Sequence, residues 1–359
     1  MTDHPVHNFS PGPSTLPPEV LEEAQRELVD FRGSGMSIVE MSHRGGAYEE
    51  VHTEALALVR EVGAIPDDFD VCFVQGGATL QFALVPMNLP GRSAYALSGS
   101  WARKAFADAE RVADAYVAWD GAAEGHTRMP GPDELALEPG TRYLHLTSNE
   151  TIEGIRFADW PAVDVPLVLD ASSDFFSRPL PWDRFDLVYA GTQKNLGPAG
   201  MAVVVVRRTV LDEAPEGLGA YLRYATHAKT DSLYNTPPSF TVYLTGKVLA
   251  WIKAKGGLEA MQQRAERKAG LVYEVIDGSD GFYACPAQPA SRSRMNVVFR
   301  LRSEEDERVF LERAADAGLV GLKGHRSVGG CRASLYNAMP EAGVRALAAF
   351  MTDFRDGRR

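Results

Sequence analysis

The chain has 359 residues, of which 45% are hydrophobic and 24% charged, which is typical of a globular protein with one large domain or two packed together. Its formal net charge of −11 argues against broad binding to nucleic acids or anionic membranes, so a phosphorylated substrate would need a local basic cluster. Three widely spaced cysteines without a CxxC pair predict no metal site. Together with an amino terminus that lacks a secretory pattern, they indicate a cytoplasmic protein.

Predicted helices and strands alternate from about residue 17 onward. Apolar residues recur at helical spacing in PPEVLEEAQRELVDF and AYEEVHTEALALVREV. The first buried strand, DVCFVQGG, is followed by the helical pattern ATLQFALVPMNL. Further strand patterns are SAYALSG, TRYLHLTSN, PLVLDASSD, FDLVYAG and GMAVVVVR. This alternation predicts an α/β fold with a largely parallel sheet covered by helices on both faces.

A change in the pattern of predicted helices and strands near residue 255 predicts a domain border. The segment FTVYLTGKVLAWIKAKGG reads as a long helix that ends in two glycines. Beyond it, RMNVVFRL and RASLYN read as strands, and DERVFLERAADAG and EAGVRALAAFMTDFRD read as helices. We therefore predict a large domain over residues 16–255, and a small α+β domain formed by residues 1–15 and 256–359.

A lysine and an aspartate follow two successive predicted strands. Lys194 lies in AGTQKNLGPAG, just after FDLVYA, and Asp170 ends the apolar run PLVLD. Ligands of such folds bind beyond the carboxyl ends of the strands. Lys194 is either a Schiff-base lysine or a solvated loop residue, and Asp170 either binds a protonated ring nitrogen or caps the next helix. Found together, the two side chains favour the pair that pyridoxal phosphate requires.

Two further features are expected at the same edge. The residues Gly76 and Gly77, followed by Ala78 and Thr79, open a helix after a strand, and such a helix start binds phosphate. A plain strand-to-helix turn is the alternative. Trp101 in SGSWARKAF supplies an aromatic face for a cofactor ring, unless it only packs in the core.

Arginine and histidine residues suggest how anionic substrates bind. Arg332 in GGCRAS is placed to bind an α-carboxylate through two parallel hydrogen bonds, the alternative being a surface arginine. Two His-Arg pairs, His43-Arg44 and His325-Arg326, lie far apart in the sequence. If they converge, they form the basic pocket that a phosphate ester needs in this acidic chain; otherwise they are independent surface pairs.

Several motifs along nearly the whole chain resemble one family. They are NFSPGPSTLP, SHRG, QGGATLQF, SNETIEGI, AGTQKNLGPAG, NTPPSF and KGHRSVGGCRASLYNAM. In this order they resemble the phosphoserine aminotransferases, a family in the class V branch of the fold-type I pyridoxal-phosphate enzymes. The resemblance implies that fold, with a large cofactor-binding domain and a smaller carboxyl-terminal one. It also implies pyridoxal 5'-phosphate as cofactor.

The resemblance also implies a role for each matching residue. Lys194 would form the Schiff base, Asp170 would contact the ring nitrogen, Trp101 would stack on the ring, and Thr151 would bind its phenolic oxygen. The cofactor phosphate would be held by Ala78, Thr79 and Gln193, and by Asn235 and Thr236 of the neighbouring subunit. Many relatives have Gly-Arg or Gly-Cys at Ala78-Thr79, so this chain lacks one charge that could neutralise the phosphate.

The implied reaction is reversible amino transfer between glutamate and 3-phosphohydroxypyruvate in serine biosynthesis, by a homodimer with shared active sites. In the family the two His-Arg pairs hold the phosphate of phosphoserine and the γ-carboxylate of glutamate. A second activity on 4-phosphohydroxythreonine stays open. The alternatives are an alanine- or serine-glyoxylate aminotransferase, a cysteine desulfurase, and a phosphate-binding module without enzymatic activity.

Overall fold

In the computed structural model, residues 5–358 are described. The α-helices among them are α1 (Pro18–Glu27), α2 (Gly46–Val62), α3 (Gly77–Asn88), α4 (Ser100–Val112), α5 (Arg208–Leu211), α6 (Tyr224–Lys229), α7 (Ser239–Ala254), α8 (Gly257–Asp277), α9 (Glu304–Asp316) and α10 (Glu341–Asp356). The strands are β1 (His7–Asn8), β2 (Phe69–Gln75), β3 (Ser93–Leu97), β4 (Ala115–Asp120), β5 (Tyr143–Thr147), β6 (Asn149–Glu150), β7 (Ile155–Arg156), β8 (Leu167–Asp170), β9 (Phe185–Gly191), β10 (Met201–Arg207), β11 (Tyr283–Ala284), β12 (Asn296–Leu301), β13 (Leu319–Val320) and β14 (Cys331–Ser334).

The central sheet has seven strands in the order β2-β10-β9-β8-β5-β3-β4. The pairs along β9-β8-β5-β3-β4 are parallel, whereas β10 runs antiparallel to both β9 and β2. A strand that follows its neighbour after a short loop returns in the opposite direction, which explains β10. The predicted largely parallel sheet is confirmed, and the carboxyl ends of β2, β3, β5, β8 and β9 share one edge.

Helices cover both faces of this sheet, as predicted. Strand β10 shows why: Val203 and Val205 belong to the core on one face, and Val204 and Val206 to the core on the other. One core includes residues of α2 and α7, and the other includes residues of α3 and α4. A strand buried on both faces is apolar throughout rather than alternating, as the run of valines had indicated.

A further hydrophobic core lies in the carboxyl-terminal part of the chain. It is centred on the antiparallel sheet β11-β12-β14 and on α8, α9 and α10, with Phe299, Phe310 and Phe354 in edge-to-face contact. The amino-terminal strand β1 pairs with β13, and Phe9 belongs to this core. The domain limits at residues 16 and 255 stay a prediction, and residues 1–4 and 359 of the predicted small domain lie outside the described part.

The elements that were not predicted from the sequence include α4, β4 and α8. Strand β4 lies at the edge of the sheet and buries only Ala118, although five of its six residues are apolar. The two glycines at the predicted domain border do end α7, but Gly256 (φ +102°) and Gly257 (φ +72°) lead directly into α8. Among residues 5–358, no helix combines the length and the apolar character needed to cross a membrane.

Candidate active site

A cavity of about 500 Å³ opens at the shared edge of the central sheet. Its walls come from the ends of five strands, because β2, β3, β5, β8 and β9 all finish there. Lys194, Asp170, Trp101, Thr151 and Arg332 line it together. Residues up to 231 positions apart in the printed sequence, counting from Trp101 to Arg332, therefore meet in one place.

Lys194 and Asp170 are both buried in this cavity, 8% and 4% exposed. The Lys194 Nζ atom donates a hydrogen bond to Thr151 Oγ1 at 2.8 Å. Asp170 ends β8 beside Tyr189 of β9, and its Oδ1 atom accepts a hydrogen bond from the Ser172 backbone N at 2.9 Å. A turn follows Asp170 rather than a helix, so the alternative role of helix cap is not the one observed.

The two side chains influence each other's charge. Burial lowers the pKa of Lys194 to about 8, and the Asp170 carboxylate acts in the opposite direction. Burial also raises the pKa of Asp170, which is opposed by hydrogen bonding to Ser172 and by the Lys194 charge. An amine that loses its proton near neutral pH is a usable nucleophile and proton acceptor.

Trp101 lies in the first turn of α4 and presents its ring to the cavity. Lys194 Nζ lies 5.3 Å from the ring centroid, and Lys104 Nζ lies 4.2 Å from it. The indole Nε1 is buried and has no hydrogen-bond partner among residues 5–358. The ring is therefore placed to stack on a flat ligand next to the Lys194 amine.

The amino-terminal end of α3 forms another wall, with Ala78 and Thr79 in its first turn. Gly76 precedes the helix in the left-handed region (φ +96°), and its N donates to the Gly200 carbonyl at 3.1 Å. The N–H groups of a first helical turn have no intrahelical acceptors, so they bind anions. Gln193 lines the same cavity, which gives this wall the composition predicted for a phosphate site.

The opposite side of the cavity carries positive charge. Arg332 is 5% exposed, and its Nη1 donates to the Thr151 carbonyl at 3.3 Å. His325 also lines the cavity, while Arg326 beside it is exposed. Burial lowers the pKa of His325, as do the charges of Arg332, Arg326 and Lys104. A substrate anion entering here meets Arg332 as a buried cation, whereas the lowered pKa of His325 favours its neutral form.

Comparison with known proteins agrees with this geometry. The sequence model described as aminotransferase class-V matches residues 6–347. The chain belongs to the class V aminotransferase family. It is 51% identical to phosphoserine aminotransferase of Laribacter hongkongensis, over 97% of this chain and 98% of that protein.

Two solved structures are closely similar. The phosphoserine aminotransferase from Bacillus circulans subsp. alkalophilus superposes with a TM-score of 0.96 at 49% identity, over 99% of both chains. The phosphoserine aminotransferase of Trichomonas vaginalis, solved with bound pyridoxal phosphate, gives a TM-score of 0.92 at 37% identity, over 97% of this chain and 99% of that one. These matches confirm the predicted fold-type I architecture.

Five of the predicted site residues do not line the cavity of their own chain, within the described range 5–358: His43, Arg44, Asn235, Thr236 and Arg326. Arg44 and Thr236 are exposed. The Thr236 carbonyl accepts a hydrogen bond from Gln75 Nε2 at 2.7 Å, just outside the cavity wall. The two His-Arg pairs therefore do not converge within one chain.

Sequence reasoning missed two contributions to the site. Pro11, Gly12 and Pro13 line the cavity, and Ser14 N donates to the Gln193 carbonyl at 3.1 Å, so this segment lies against the lysine loop. The repeated Gly and Pro of this segment signalled an irregular loop, but not its position. The second missed group, Glu150 with Glu153, carried no signal, because acidic residues are common on surfaces.

Proposed function

We infer that the chain catalyses the phosphoserine aminotransferase reaction. It transfers an amino group reversibly between glutamate and 3-phosphohydroxypyruvate, giving O-phospho-L-serine and 2-oxoglutarate. The main support is that a buried lysine, a buried aspartate, an aromatic ring and a buried arginine line one cavity: Lys194, Asp170, Trp101 and Arg332. The full-length identity to phosphoserine aminotransferases supports the choice of substrate.

The residues of the cavity fit pyridoxal phosphate. The Trp101 ring offers a flat face, and the α3 amino terminus offers N–H groups for a phosphate. The buried Asp170 carboxylate lies where a protonated ring nitrogen would compensate its charge. Lys194 would hold the aldehyde carbon through its amine, next to Thr151. When bound, the cofactor supplies the electron sink that makes the substrate α-proton acidic.

The chain itself orients the substrate and moves the proton. Arg332 would bind the α-carboxylate common to all substrates through two parallel hydrogen bonds, which fixes the α-carbon near Lys194. The Lys194 amine, with its lowered pKa, would take the proton from that carbon and later return one. Asp170 would maintain the positive charge on the ring nitrogen by its own negative charge.

We propose that two copies form a symmetric dimer and complete each other's cavity. His43, Arg44, Asn235 and Thr236 of one copy would reach the cavity of the other, which explains why they lie outside their own. Exposed apolar side chains in the segment that precedes His43 in the sequence support such an interface: Leu21, Leu28, Val29, Met36 and Val39. A dimer that buries them removes apolar surface from water.

Mixing two inactive variants tests the shared site. Lys194→Ala removes the amine from one cavity, and Thr236→Trp blocks the cavity of the other copy. Heterodimers would contain one cavity with both defects and one with neither, so activity should return to about a quarter to a half of wild type. The shared site is contradicted if activity does not return although subunit exchange has been demonstrated. It is also contradicted if light scattering shows that the active protein is a monomer.

A panel of amino donors tests the substrate assignment. Single-turnover rates with phosphoserine, glutamate, alanine and 4-phosphohydroxythreonine should be high for the first two donors and very low for alanine, which has no distal anion. Rapid reaction with alanine and glyoxylate instead would indicate a glyoxylate aminotransferase. Cysteine desulfurase activity is disfavoured because Cys331 is fully buried in β14 and burial raises the pKa of its thiol.

The cysteines also support a reducing compartment, and we propose the cytoplasm. Cys72, Cys285 and Cys331 are all free, and none is exposed.

A further inference from the structure

The helix that carries Trp101 begins without a cap of its own. Its N-cap residue, Gly99, has no side chain to accept hydrogen bonds from the first turn. Those bonds are accepted instead by Glu150, a residue of another segment. Its Oε2 accepts from Trp101 N at 3.0 Å, and its Oε1 accepts from Ala102 N at 2.9 Å.

A second carboxylate completes this arrangement. Glu153 Oε1 accepts from the backbone N of Ser100 at 2.9 Å and from its Oγ at 2.6 Å. A Cβ atom on Gly99 would lie 2.6 Å from Glu153 Oε2 and 2.7 Å from Glu150 Cδ. Both carboxyl groups therefore pack directly on Gly99, and only a glycine leaves them room.

The same segment also holds the reactive lysine. Thr151 follows Glu150 directly, and its Oγ1 accepts the hydrogen bond from Lys194 Nζ at 2.8 Å. The turn after it is closed by Gly154 N, which donates to the Glu150 carbonyl at 2.9 Å. Gly154 has φ +72°, and a Cβ there would lie 2.8 Å from Val298 Cγ2, so the backbone of this turn is tightly constrained.

Glu150 is fully buried, which is costly for a carboxylate. Burial and the neighbouring Glu153 raise its pKa, while the N–H groups of Ala102 and Trp101 act in the opposite direction. The amino terminus of a helix favours negative charge, so α4 compensates part of the cost. Packing alone would be satisfied by an apolar side chain at position 150, so the buried carboxyl group of Glu150 requires another explanation.

We propose that Glu150 is a positioning residue that fixes the Trp101 ring relative to Lys194, with Glu153 supporting it. Glu150 does not itself line the cavity. It holds the first turn of α4, and its neighbour Thr151 holds the amine, so one short segment sets the distance between ring and amine. This proposal rests on the proposed function only in taking Trp101 as the residue that faces the cofactor ring.

Cofactor affinity in a double-mutant cycle tests the proposal. The dissociation constant of pyridoxal phosphate is measured for wild type, Glu150→Gln, Trp101→Ala and the double variant. We expect Glu150→Gln to raise the constant about tenfold when Trp101 is present and less than twofold in the Trp101→Ala background, which has no ring left to position. An equal increase in both backgrounds overturns the proposal.

Hydrogen exchange in the cofactor-free protein gives a readout that does not depend on the proposed function. In Glu150→Gln, the amides of Trp101 and Ala102 should exchange at least tenfold faster, because an NH₂ group replaces one acceptor oxygen. Unchanged exchange there overturns the proposal. If even wild type fails to bind the cofactor, the proposed function is wrong, and this exchange experiment decides the role of Glu150 alone.

Two further variants complete the test: one is a control for the loss of a helix cap elsewhere, and the other replaces Glu150→Gln if that variant does not fold. Ser303→Ala removes the hydrogen bond from Asp306 N that caps α9, and it should leave cofactor affinity and α4 exchange unchanged. Gly99→Ala displaces both carboxyl groups without altering their chemistry, and it should reproduce the effects of Glu150→Gln. If Glu150→Gln does not fold, Gly99→Ala decides: wild-type affinity and exchange in that variant overturn the proposal.

Discussion

The two ends of the active-site cavity are built in different ways. The end that carries out the chemistry has Asp170 at the end of β8 and Lys194 in the turn that follows the adjacent strand β9, both less than 10% exposed. The end that would recognise the distal anion has only His325 in the cavity, on a loop between β13 and β14, with Arg326 exposed beside it. The other His-Arg pair lies outside the cavity altogether.

This difference suggests that one chain positions the residues for the chemistry, whereas the site for the distal anion needs a second chain to complete it. Strand ends are held by the sheet and by two hydrophobic cores, so the lysine and aspartate are preorganised before any ligand arrives. Exposed loops obtain their geometry from a partner or a substrate. We therefore expect substitutions at the chemical end to abolish turnover, and substitutions at the distal end to change specificity.

The largest expected effect is that of Lys194→Ala. No other side chain can hold the aldehyde carbon and also transfer the substrate proton, so turnover should fall by about 10⁴-fold or more. Borohydride treatment followed by peptide mass analysis should locate the cofactor adduct on the Lys194 peptide in wild type, with no adduct in the variant. An adduct on another lysine contradicts the assignment.

Asp170→Asn should have the next largest effect. The amide keeps the shape and the hydrogen bond from Ser172 but cannot hold the ring nitrogen protonated, so the rate should fall about 10²-fold while cofactor still binds. Presteady-state rates with glutamate measure the loss. Unchanged turnover would leave Asp170 with only its turn-forming hydrogen bond.

Arg326→Ala should have a smaller and selective effect at the distal end. Loss of one charge-assisted contact costs about 1.5–3 kcal/mol, which is roughly one to two decades in kcat/KM. We expect this loss for phosphoserine, a smaller loss for glutamate, and little change for alanine. Arg332→Ala is the matched comparison and should impair all three donors. Equal losses for the three donors in Arg326→Ala would show that it supports the fold instead.

The smallest expected effect concerns the stability of the cofactor-free protein. Lys194 loses its proton at about pH 8, whereas an unfolded lysine keeps it to about pH 10.4. Between these values the unfolded chain binds more protons, so the free energy of unfolding contributed by Lys194 rises with pH, by about 2 kcal/mol from pH 7 to 10.

Denaturant unfolding of wild type and Lys194→Met at pH 7 and pH 10 measures this contribution. The variant should gain stability relative to wild type at pH 7 and lose that advantage at pH 10. An identical difference between the two proteins at both pH values would mean that Lys194 is not desolvated in the way the structure indicates.

Much of the fold followed from local pattern. Apolar runs predicted β2, β3, β5, β8, β9 and β10 because buried strands of this kind are apolar on both faces. Strand β4 was missed although five of its six residues are apolar, and at the edge of the sheet it buries only Ala118. Helix α4 was missed because its first turn is capped by Glu150 and Glu153 from a distant segment, which no local sequence signal could show.

The sequence by itself determined which candidate site residues are present and which of them follow predicted strands. The family resemblance then gave roles to Lys194, Asp170, Trp101 and Arg332. Only the tertiary structure decided which of them meet. The sheet brings Lys194 and Asp170 together because parallel neighbouring strands end at the same edge, whatever their separation in sequence. It leaves His43 and Arg44 outside the cavity, because a loop position depends on packing between distant segments and, in our proposal, on a second chain.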